Sequence, residues 1–210
     1  MSTGKLSYKM TLLGDSGVGK TSLFKKITKE NFDPKIVSTI GIDKRTLFFN
    51  INTSEGEKEV EISLYDTAGQ ERFKSISISY FRESKGLLVI YDITNYETFK
   101  HVGVWLGDVI DTLGKKDDYI IILWGNKVDL VNADPEQRDV DEEEAKEFCE
   151  KNNLLWGGEC SAKDFSSDQF REIFKDFITK MQKKVGDNFK AEEDLLKKKK
   201  KNQNQKKGCC

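Results

Sequence analysis

The octapeptide GDSGVGKT, Gly14–Thr21, decides the fold of this chain. It holds three glycines, although glycine loses more backbone freedom on folding than any other residue. The spacing fits G-x-x-x-x-G-K-[ST], a phosphate-binding loop that needs a strand before it and a helix after it. Both are predicted, because Tyr8–Leu13 is a largely apolar run and Leu23, Phe24 and Ile27 recur at helical spacing.

Beyond this loop, strand patterns alternate with helix patterns. Residues 45–51 and 59–65 alternate apolar and polar side chains around a polar turn, which predicts an antiparallel hairpin. The continuous apolar runs 87–91 and 119–124 predict strands buried on both faces, as in a parallel sheet. Helices are predicted near 95–113, 140–152 and 168–185, and a last strand at 154–160. This order predicts an α/β layered domain.

Composition narrows the class of protein. The 210 residues are 37% hydrophobic and 34% charged, enough apolar material for one domain with a tail. A net charge of −1 argues against a nucleic-acid binder that works by bulk basicity. The four cysteines match neither a zinc site nor a disulfide framework, which favours a reducing compartment. No transmembrane run or signal peptide is expected, and the single histidine, His101, is predicted to lie on a helix surface.

The glycine loop carries donors suited to a polyphosphate. Successive backbone N–H groups and the N-terminus of the next helix supply donors and positive potential. We expect Lys20 to reach the outer phosphates and the Thr21 hydroxyl to ligate Mg²⁺. The nucleotide contacts expected here are Asp15, Ser16, Gly17, Val18, Gly19, Lys20, Thr21 and Ser22. The alternative is an ordinary glycine turn before a helix.

A base-binding motif follows the predicted strand 119–124. In GNKVDL, Gly125–Leu130, the carboxylate of Asp129 can accept both the N1–H and the amino group of guanine, a pair that adenine lacks. In ECSAK, Glu159–Lys163, the backbone amides of Ser161, Ala162 and Lys163 could reach the guanine carbonyl. The alternative for NKVD alone is a surface turn.

A third motif, DTAGQERF at Asp66–Phe73, follows the second strand of the hairpin. Asp66 can hold the Mg²⁺ shell, and Gly69 offers an unobstructed N–H to the terminal phosphate. The amide of Gln70 can both donate and accept, which suits orienting a water for in-line attack. The alternative is a polar turn.

With STIGID at 38–43, these motifs occur in the order and spacing of the Ras-type small GTPases, and the chain most resembles the Rab family. The residues that point to Rabs are IGID, QERF, YDIT at 91–94 and the terminal Cys209-Cys210. The resemblance implies a three-layer P-loop GTPase fold, with a six-stranded, mostly parallel sheet and helices on both faces. It divides the chain into a flexible N-terminus at 1–7, a G domain at 8–182 and a hypervariable basic tail at 183–210.

The resemblance also implies roles for individual residues. Thr39 resembles the first-switch threonine that meets Mg²⁺ and the γ-phosphate, and Phe32 the aromatic that packs against guanine. Thr21 would be the other protein ligand of Mg²⁺, while Asp66 acts through water. Segments 32–46 and 66–82 would be switch regions. The expected catalytic residues are Gln70, Lys20 and Gly69, and the expected base contacts are Asn126, Lys127 and Asp129.

Two positions depart from the Rab pattern on the expected effector surface. Rabs usually have phenylalanine at the position of Lys44 and tryptophan at that of Tyr65, which with Tyr80 form a surface aromatic triad. Lys44 brings a charge to that surface, so we expect a divergent set of effectors. The full expected surface is Ile40, Gly41, Ile42, Asp43, Lys44, Tyr65 and Tyr80.

The tail predicts a membrane anchor. Residues 197–207 hold seven lysines and no acid, and the chain ends in Cys209-Cys210. In a Rab-like chain this implies two geranylgeranyl groups, delivery by an escort protein and residence on the cytoplasmic face of a membrane, cycling with cytosol. The alternative is a solubilising basic tail with incidental cysteines.

The resemblance predicts slow GTP hydrolysis to GDP in a switch that recruits effectors in vesicle trafficking. The partners expected are an exchange factor, a GTPase-activating protein that supplies an arginine, a GDP-dissociation inhibitor and effectors, and the chain is expected to be monomeric. Two alternatives remain open here: a GTP-binding scaffold with negligible hydrolysis, and a P-loop ATPase or kinase of another family.

Overall fold

The computed structural model describes residues 6–29, 42–53, 56–67, 82–114 and 118–185. The strands are β1 (Leu6–Leu13), β2 (Ile42–Thr53), β3 (Gly56–Thr67), β4 (Gly86–Asp92), β5 (Ile120–Asn126) and β6 (Leu155–Glu159). The helices are α1 (Lys20–Ile27), α2 (Tyr96–Lys100), α3 (Val102–Leu113), α4 (Val128–Ala133), α5 (Glu142–Asn152) and α6 (167–185), with a 3₁₀ turn at Pro135–Gln137.

These strands form one sheet in the order β2-β3-β1-β4-β5-β6. Only the β2–β3 pairing in this sheet is antiparallel, and the remaining pairs are parallel. The predicted six-stranded, mostly parallel sheet is therefore confirmed. The predicted hairpin is also confirmed, and its strands extend further than the apolar alternation suggested, from Ile42 to Thr67.

Hydrophobic clusters cover both faces of the sheet. On one face, α1 and α6 pack against the strands, and Trp124 meets Phe170 and Phe177 with ring centroids 5.5 Å apart in each pair. On the other face, α3 and α5 cover the central strands, with Trp156 packed at the margin. The predicted layers of helices on both faces of the sheet are therefore confirmed, as expected for strands that are buried on both faces.

The last strand contains two glycines, Gly157 and Gly158. A side chain at Gly157 would lie 2.9 Å from the carbonyl oxygen of Leu123, and Gly158 has a φ of +90°. The register of β6 against β5 shifts here, between Leu123 and Gly125. This is a β-bulge, in which glycine permits both close packing and the unusual backbone. Along the described parts of the chain, every helix is too short or too polar to span a bilayer.

Candidate nucleotide-binding site

The glycine loop lies between the end of β1 and the start of α1, as predicted. Gly14 has a φ of +134°, and a Cβ there would lie 2.2 Å from the carbonyl oxygen of Ile90. Gly19 precedes the first residue of α1 with a φ of +97°, and its Cβ would lie 2.2 Å from the Nδ2 atom of Asn126. Gly17 has open space around it and a φ of +80°. Each glycine therefore adopts a backbone conformation that other residues reach only with strain.

Lys20 lies inside this loop. Its Nζ atom donates hydrogen bonds to the carbonyl oxygens of Gly14, at 2.9 Å, and of Asp15, at 2.6 Å. Burial lowers the pKa of Lys20 to about 8, and the nearby carboxylates of Asp66 and Asp15 oppose that shift. The ammonium group remains mostly protonated at neutral pH, so the loop encloses a positive charge.

Thr21 and Asp66 meet beside Lys20. The hydroxyl of Thr21 donates to Oδ2 of Asp66 at 2.6 Å, which joins the start of α1 to the end of β3. The other carboxylate oxygen of Asp66, Oδ1, is buried and has no hydrogen-bond partner within the described parts of the chain. Burial raises the pKa of Asp66 to about 6, against the opposing effects of Thr21 and Lys20. The start of α1 and the end of β3 thus bring together two side chains with hard oxygen donors, and among the described residues one oxygen of Asp66 has no hydrogen-bond partner.

Asn126 connects the phosphate loop to the ECSAK segment through hydrogen bonds of its side chain. Its Nδ2 atom donates to the carbonyl oxygen of Val18 at 2.8 Å, and its Oδ1 atom accepts from the backbone N–H of Ala162 at 3.1 Å. Asn126 is only 2% exposed. The side chain therefore links the phosphate loop to the ECSAK segment, a structural role that the motif by itself did not predict.

Asp129 lies against the ECSAK segment, so the two predicted base motifs come together. Its Oδ1 atom accepts from the hydroxyl of Ser161 at 2.7 Å, and Lys163 Nζ lies 3.9 Å from Oδ2. The backbone N–H of Lys163 donates to Oγ of Ser161 at 3.2 Å. The amides predicted to reach a guanine carbonyl at Ala162 and Lys163 thus have acceptors within the protein, which the sequence interpretation did not include.

Lys127 forms an ion pair at the same edge of the sheet. It has a φ of +74°, and its Nζ atom lies 2.6 Å from Oδ2 of Asp92, the last residue of β4. The other oxygen of Asp92 accepts from both the backbone N–H and the hydroxyl of Thr94. The YDIT motif therefore holds the lysine of NKVD in place.

Asp15 is held by two side chains of α3 and its N-terminal boundary. Its Oδ2 atom lies 2.6 Å from Nδ1 of His101, and its Oδ1 atom accepts from Nε1 of Trp105 at 2.9 Å. His101 is about half exposed, which confirms its predicted surface position, yet it also contacts the phosphate loop. The sequence analysis did not predict this contact, because the two residues lie 86 positions apart and no motif contains both of them.

Arg138 was also missed. Its guanidinium donates in bidentate fashion to Glu159, at 2.7 and 2.8 Å, and Nη1 also donates to the carbonyl oxygen of Val140 at 3.0 Å. Glu159 begins the ECSAK segment and its side chain is only 10% exposed. The ion pair fixes this segment where it leaves β6. No local pattern distinguishes Arg138 from other surface arginines.

Several predicted site residues lie outside the described part of the chain. They are Phe32, Thr39, Ile40, Gly41, Gly69, Gln70, Tyr80, Cys209 and Cys210. On the predicted effector surface, Lys44 and Tyr65 are cross-strand neighbours, and Lys44 Nζ lies 5.5 Å from the Tyr65 ring centroid. Asp43 forms an ion pair with Arg45 at 2.6 Å, and Ile42 begins β2.

The fold and the converging loops define a P-loop nucleotide-binding domain of the GTPase type. The family model described as Ras family matches residues 9–183. Human Ras-related protein Rab-30 is 39% identical over 176 residues, which cover 83% of this chain and 79% of that protein. Rab-18 of Lymnaea stagnalis is 33% identical over 175 residues (83% and 80%), and Rab-27A of Rattus norvegicus 35% over 196 residues (89% and 86%).

The chain therefore belongs to the Ras family of small GTPases, among its Rab members. It is a hydrolase that acts on GTP. This membership decides against the ATPase and kinase alternatives.

Proposed function

We propose that this chain is a membrane-anchored switch that binds GTP with Mg²⁺, hydrolyses it slowly and recruits effectors in vesicle trafficking while GTP is bound. One observation carries the proposal. Lys20, Thr21 and Asp66 meet at the phosphate loop, and one buried carboxylate oxygen of Asp66 is unpaired among the described residues. The names of the relatives, all Ras-related Rab proteins, support the same function.

The residues present fit a magnesium ion. The hydroxyl of Thr21 and the carboxylate of Asp66 are the oxygen donors that Mg²⁺ prefers. Thr21 would hold the ion directly, Asp66 through water, and Thr39 from the first switch. Bound Mg²⁺ neutralises charge on the oxygens of the β- and γ-phosphates.

The other residues position the nucleotide. The ammonium of Lys20 and the loop N–H groups bind the phosphates, while Asp129 accepts the paired donors of guanine. A base without those donors would leave the mostly buried carboxylate of Asp129 with its contacts to Ser161 and Lys163 but without a partner on the base, which costs affinity. Asn126 and Ser161 keep the base loops in register with the phosphate loop.

Hydrolysis needs residues of the second switch. Gln70 orients the attacking water, and the N–H of Gly69 binds the terminal phosphate. An activating protein supplies an arginine to the transition state, so turnover without it is slow. Loss of the γ-phosphate then releases the switches at 32–46 and 66–82. The scaffold alternative is disfavoured, because members of this family hydrolyse GTP.

The tail supplies the membrane anchor. Two geranylgeranyl groups, on Cys209 and Cys210, give stable membrane anchoring, whereas a single lipid group binds a membrane only marginally. The lysines of 197–207 add electrostatic attraction to anionic lipid. An escort protein, a GDP-dissociation inhibitor and an exchange factor are the partners that such a cycle requires.

The test is the release rate of a fluorescent GDP analogue with Mg²⁺ and after chelation. Chelation should speed release about tenfold or more, because the cation holds the phosphates to Thr21 and Asp66. In Asp66→Asn, release should be fast in both conditions, so that chelation has little further effect.

The matched control is Asp111→Asn, which makes the same change on the exposed face of α3 and should behave as wild type. If Asp66→Asn keeps the full response to chelation, Asp66 is not in the metal shell. If the purified chain holds no guanine nucleotide and takes up none, the proposed function is wrong.

A further inference from the structure

Residues 82–85 lead from the end of the predicted second switch into β4, and we call them the exit segment. Its first residue, Arg82, accepts a hydrogen bond at its carbonyl oxygen from Lys9 Nζ at 3.1 Å. Its last residue, Lys85, donates its backbone N–H to the carbonyl oxygen of Lys9 at 2.9 Å. Both ends of the exit segment are therefore bonded to one residue of β1.

A pair of buried hydroxyls holds the middle of the exit segment. The side-chain oxygens of Thr11 and Ser84 lie 2.8 Å apart and share a hydrogen bond. Thr11 is 0% and Ser84 is 2% exposed, so bulk water does not reach either partner. Removing one hydroxyl would take away the partner that the other has in this pair, whereas replacing both by apolar groups of similar shape costs much less.

The beginning of the same switch is attached to a neighbouring residue of β1. The hydroxyl of Thr67, the last residue of β3, donates to the carbonyl oxygen of Leu12 at 2.7 Å, and Thr67 is buried. Thr11 and Leu12 are adjacent in β1, so the chain enters and leaves residues 68–81 at neighbouring points of one strand. Gln70, which we propose to orient the attacking water, belongs to that stretch. The two attachments therefore fix both ends of the stretch that carries Gln70.

Glu83, within the exit segment, has a strained backbone. Its φ is +67°, in the left-handed region that residues with long side chains rarely adopt. Such strain persists only where the surrounding contacts enforce it. Here the enforcing contacts are those of Arg82 and Ser84, on either side of Glu83. The strain of one left-handed residue and the strength of one neutral hydrogen bond are of the same order, so losing the Thr11–Ser84 bond would let Glu83 relax.

We propose that Thr11 and Ser84 are positioning residues for GTP hydrolysis. Their hydrogen bond holds Glu83 in the left-handed conformation, and Glu83 in turn sets the direction from which the second switch returns to the sheet. When the bond is lost, the exit segment relaxes and Gln70 is less well placed to orient the attacking water. The proposal rests on the proposed function, because it takes Gln70 as the residue that orients this water.

The first test uses the full chain loaded with GTP and Mg²⁺, without an activating protein. In the double variant Thr11→Val, Ser84→Ala, which replaces both hydroxyls together, single-turnover hydrolysis should slow about threefold to tenfold. GDP release and the urea unfolding midpoint should stay close to wild type, because the phosphate loop and the base motifs keep their contacts. If stability falls and GDP release speeds up with the loss of hydrolysis, the pair supports only the fold, and the inference is wrong.

The second test asks whether strain at Glu83 is what the hydrogen bond opposes. Burial lowers the pKa of Lys9 and the charge of Glu83 opposes that shift, so a control must remove this charge as well. Glu83→Asn and Glu83→Gln both remove it, but asparagine tolerates the left-handed region better than glutamine does. Loss of the Thr11–Ser84 pair should therefore slow hydrolysis much less in Glu83→Asn than in Glu83→Gln, where it should keep its full effect.

The outcomes separate this inference from the proposed function. If the double variant hydrolyses GTP at the wild-type rate, this inference is wrong and the proposed function stands. The same holds if loss of the pair has equal effects in Glu83→Asn and Glu83→Gln. A chain that takes up no guanine nucleotide, or that binds GTP without hydrolysing it, overturns the proposed function and this inference with it.

Discussion

Gly14 and Gly19 are each required by a neighbour within the protein. A Cβ at Gly14 would collide with the carbonyl of Ile90, and a Cβ at Gly19 with the side-chain amide of Asn126, even without a bound ligand. The sequence interpretation assigned the glycines to close approach of phosphate. Close packing against β4 and β5 is a second, independent reason why Gly14 and Gly19 must be glycines. Substitution at either position would therefore strain the fold as well as the site.

The contact between His101 and Asp15 predicts that His101 positions the phosphate loop. In His101→Ala, the carboxylate of Asp15 keeps only its hydrogen bond from Trp105 among the described residues, so GDP release should speed up about threefold to tenfold. His101→Asn retains a hydrogen-bond donor, so its GDP release should be slower than that of His101→Ala and closer to the wild-type rate. Release rates measured for His101→Ala, Asp15→Ala and the double variant form a cycle, and the effects should not be additive. Additive effects would show that the two side chains act independently.

At the scale of elements, the site exists because parallel strands end at one edge. Asp66 near the end of β3 bonds to Thr21, and Asn126 at the end of β5 bonds to Val18. Asp92 at the end of β4 holds Lys127 at the same edge. Ligands of open α/β sheets bind at this edge. The ECSAK segment joins them after β6, and Arg138 secures it from the loop beyond α4.

Arg138→Ala should lower the free energy of unfolding by about 2 kcal/mol, because it leaves the mostly buried carboxylate of Glu159 without its partner. The value is below that of a fully buried pair, since the arginine side chain is 26% exposed. Urea unfolding measures it. Lys146→Ala, which breaks exposed ion pairs with Glu142 and Glu143 on α5, should change stability little. Equal losses in both variants would mean that burial of Glu159 does not matter.

At the scale of the molecule, one sheet holds two cores together. Cys160 belongs to the cluster under α1 and α6, and Cys149 to the cluster on the opposite face. Neither face of the central strands can open to water without disturbing the other, because β1, β4 and β5 each contribute residues to both clusters. We therefore expect the G domain to unfold as one unit.

The buried cysteines test this cooperativity. Burial raises the pKa of Cys149 to about 12 and that of Cys160 well above its usual value, so both thiols stay protonated at neutral pH. With Cys209 and Cys210 changed to serine, iodoacetamide should modify neither thiol in the native protein, and both at the same urea concentration. Mass spectrometry of the alkylated peptides gives the two curves. Modification of one thiol well before the other would mean that the layers open separately.

Local patterns were enough for much of this architecture. Apolar runs predicted β4 and β5, alternation predicted the hairpin, and the glycine loop predicted its flanking strand and helix. These features depend on neighbours a few residues apart, which a sequence displays directly. The bulge in β6 and the longer reach of β2 depended on partner strands, so the predicted bounds there were only approximate.

The sequence by itself determined the family, the strand and helix order and the motifs that meet at the nucleotide, because each motif is a short run with its own chemistry. Only the tertiary structure decided which side chains hold those motifs in place. The contacts of His101 with Asp15 and of Arg138 with Glu159 join distant positions of the chain. Such contacts arise when strands pair and helices pack, and no spacing along the chain encodes them.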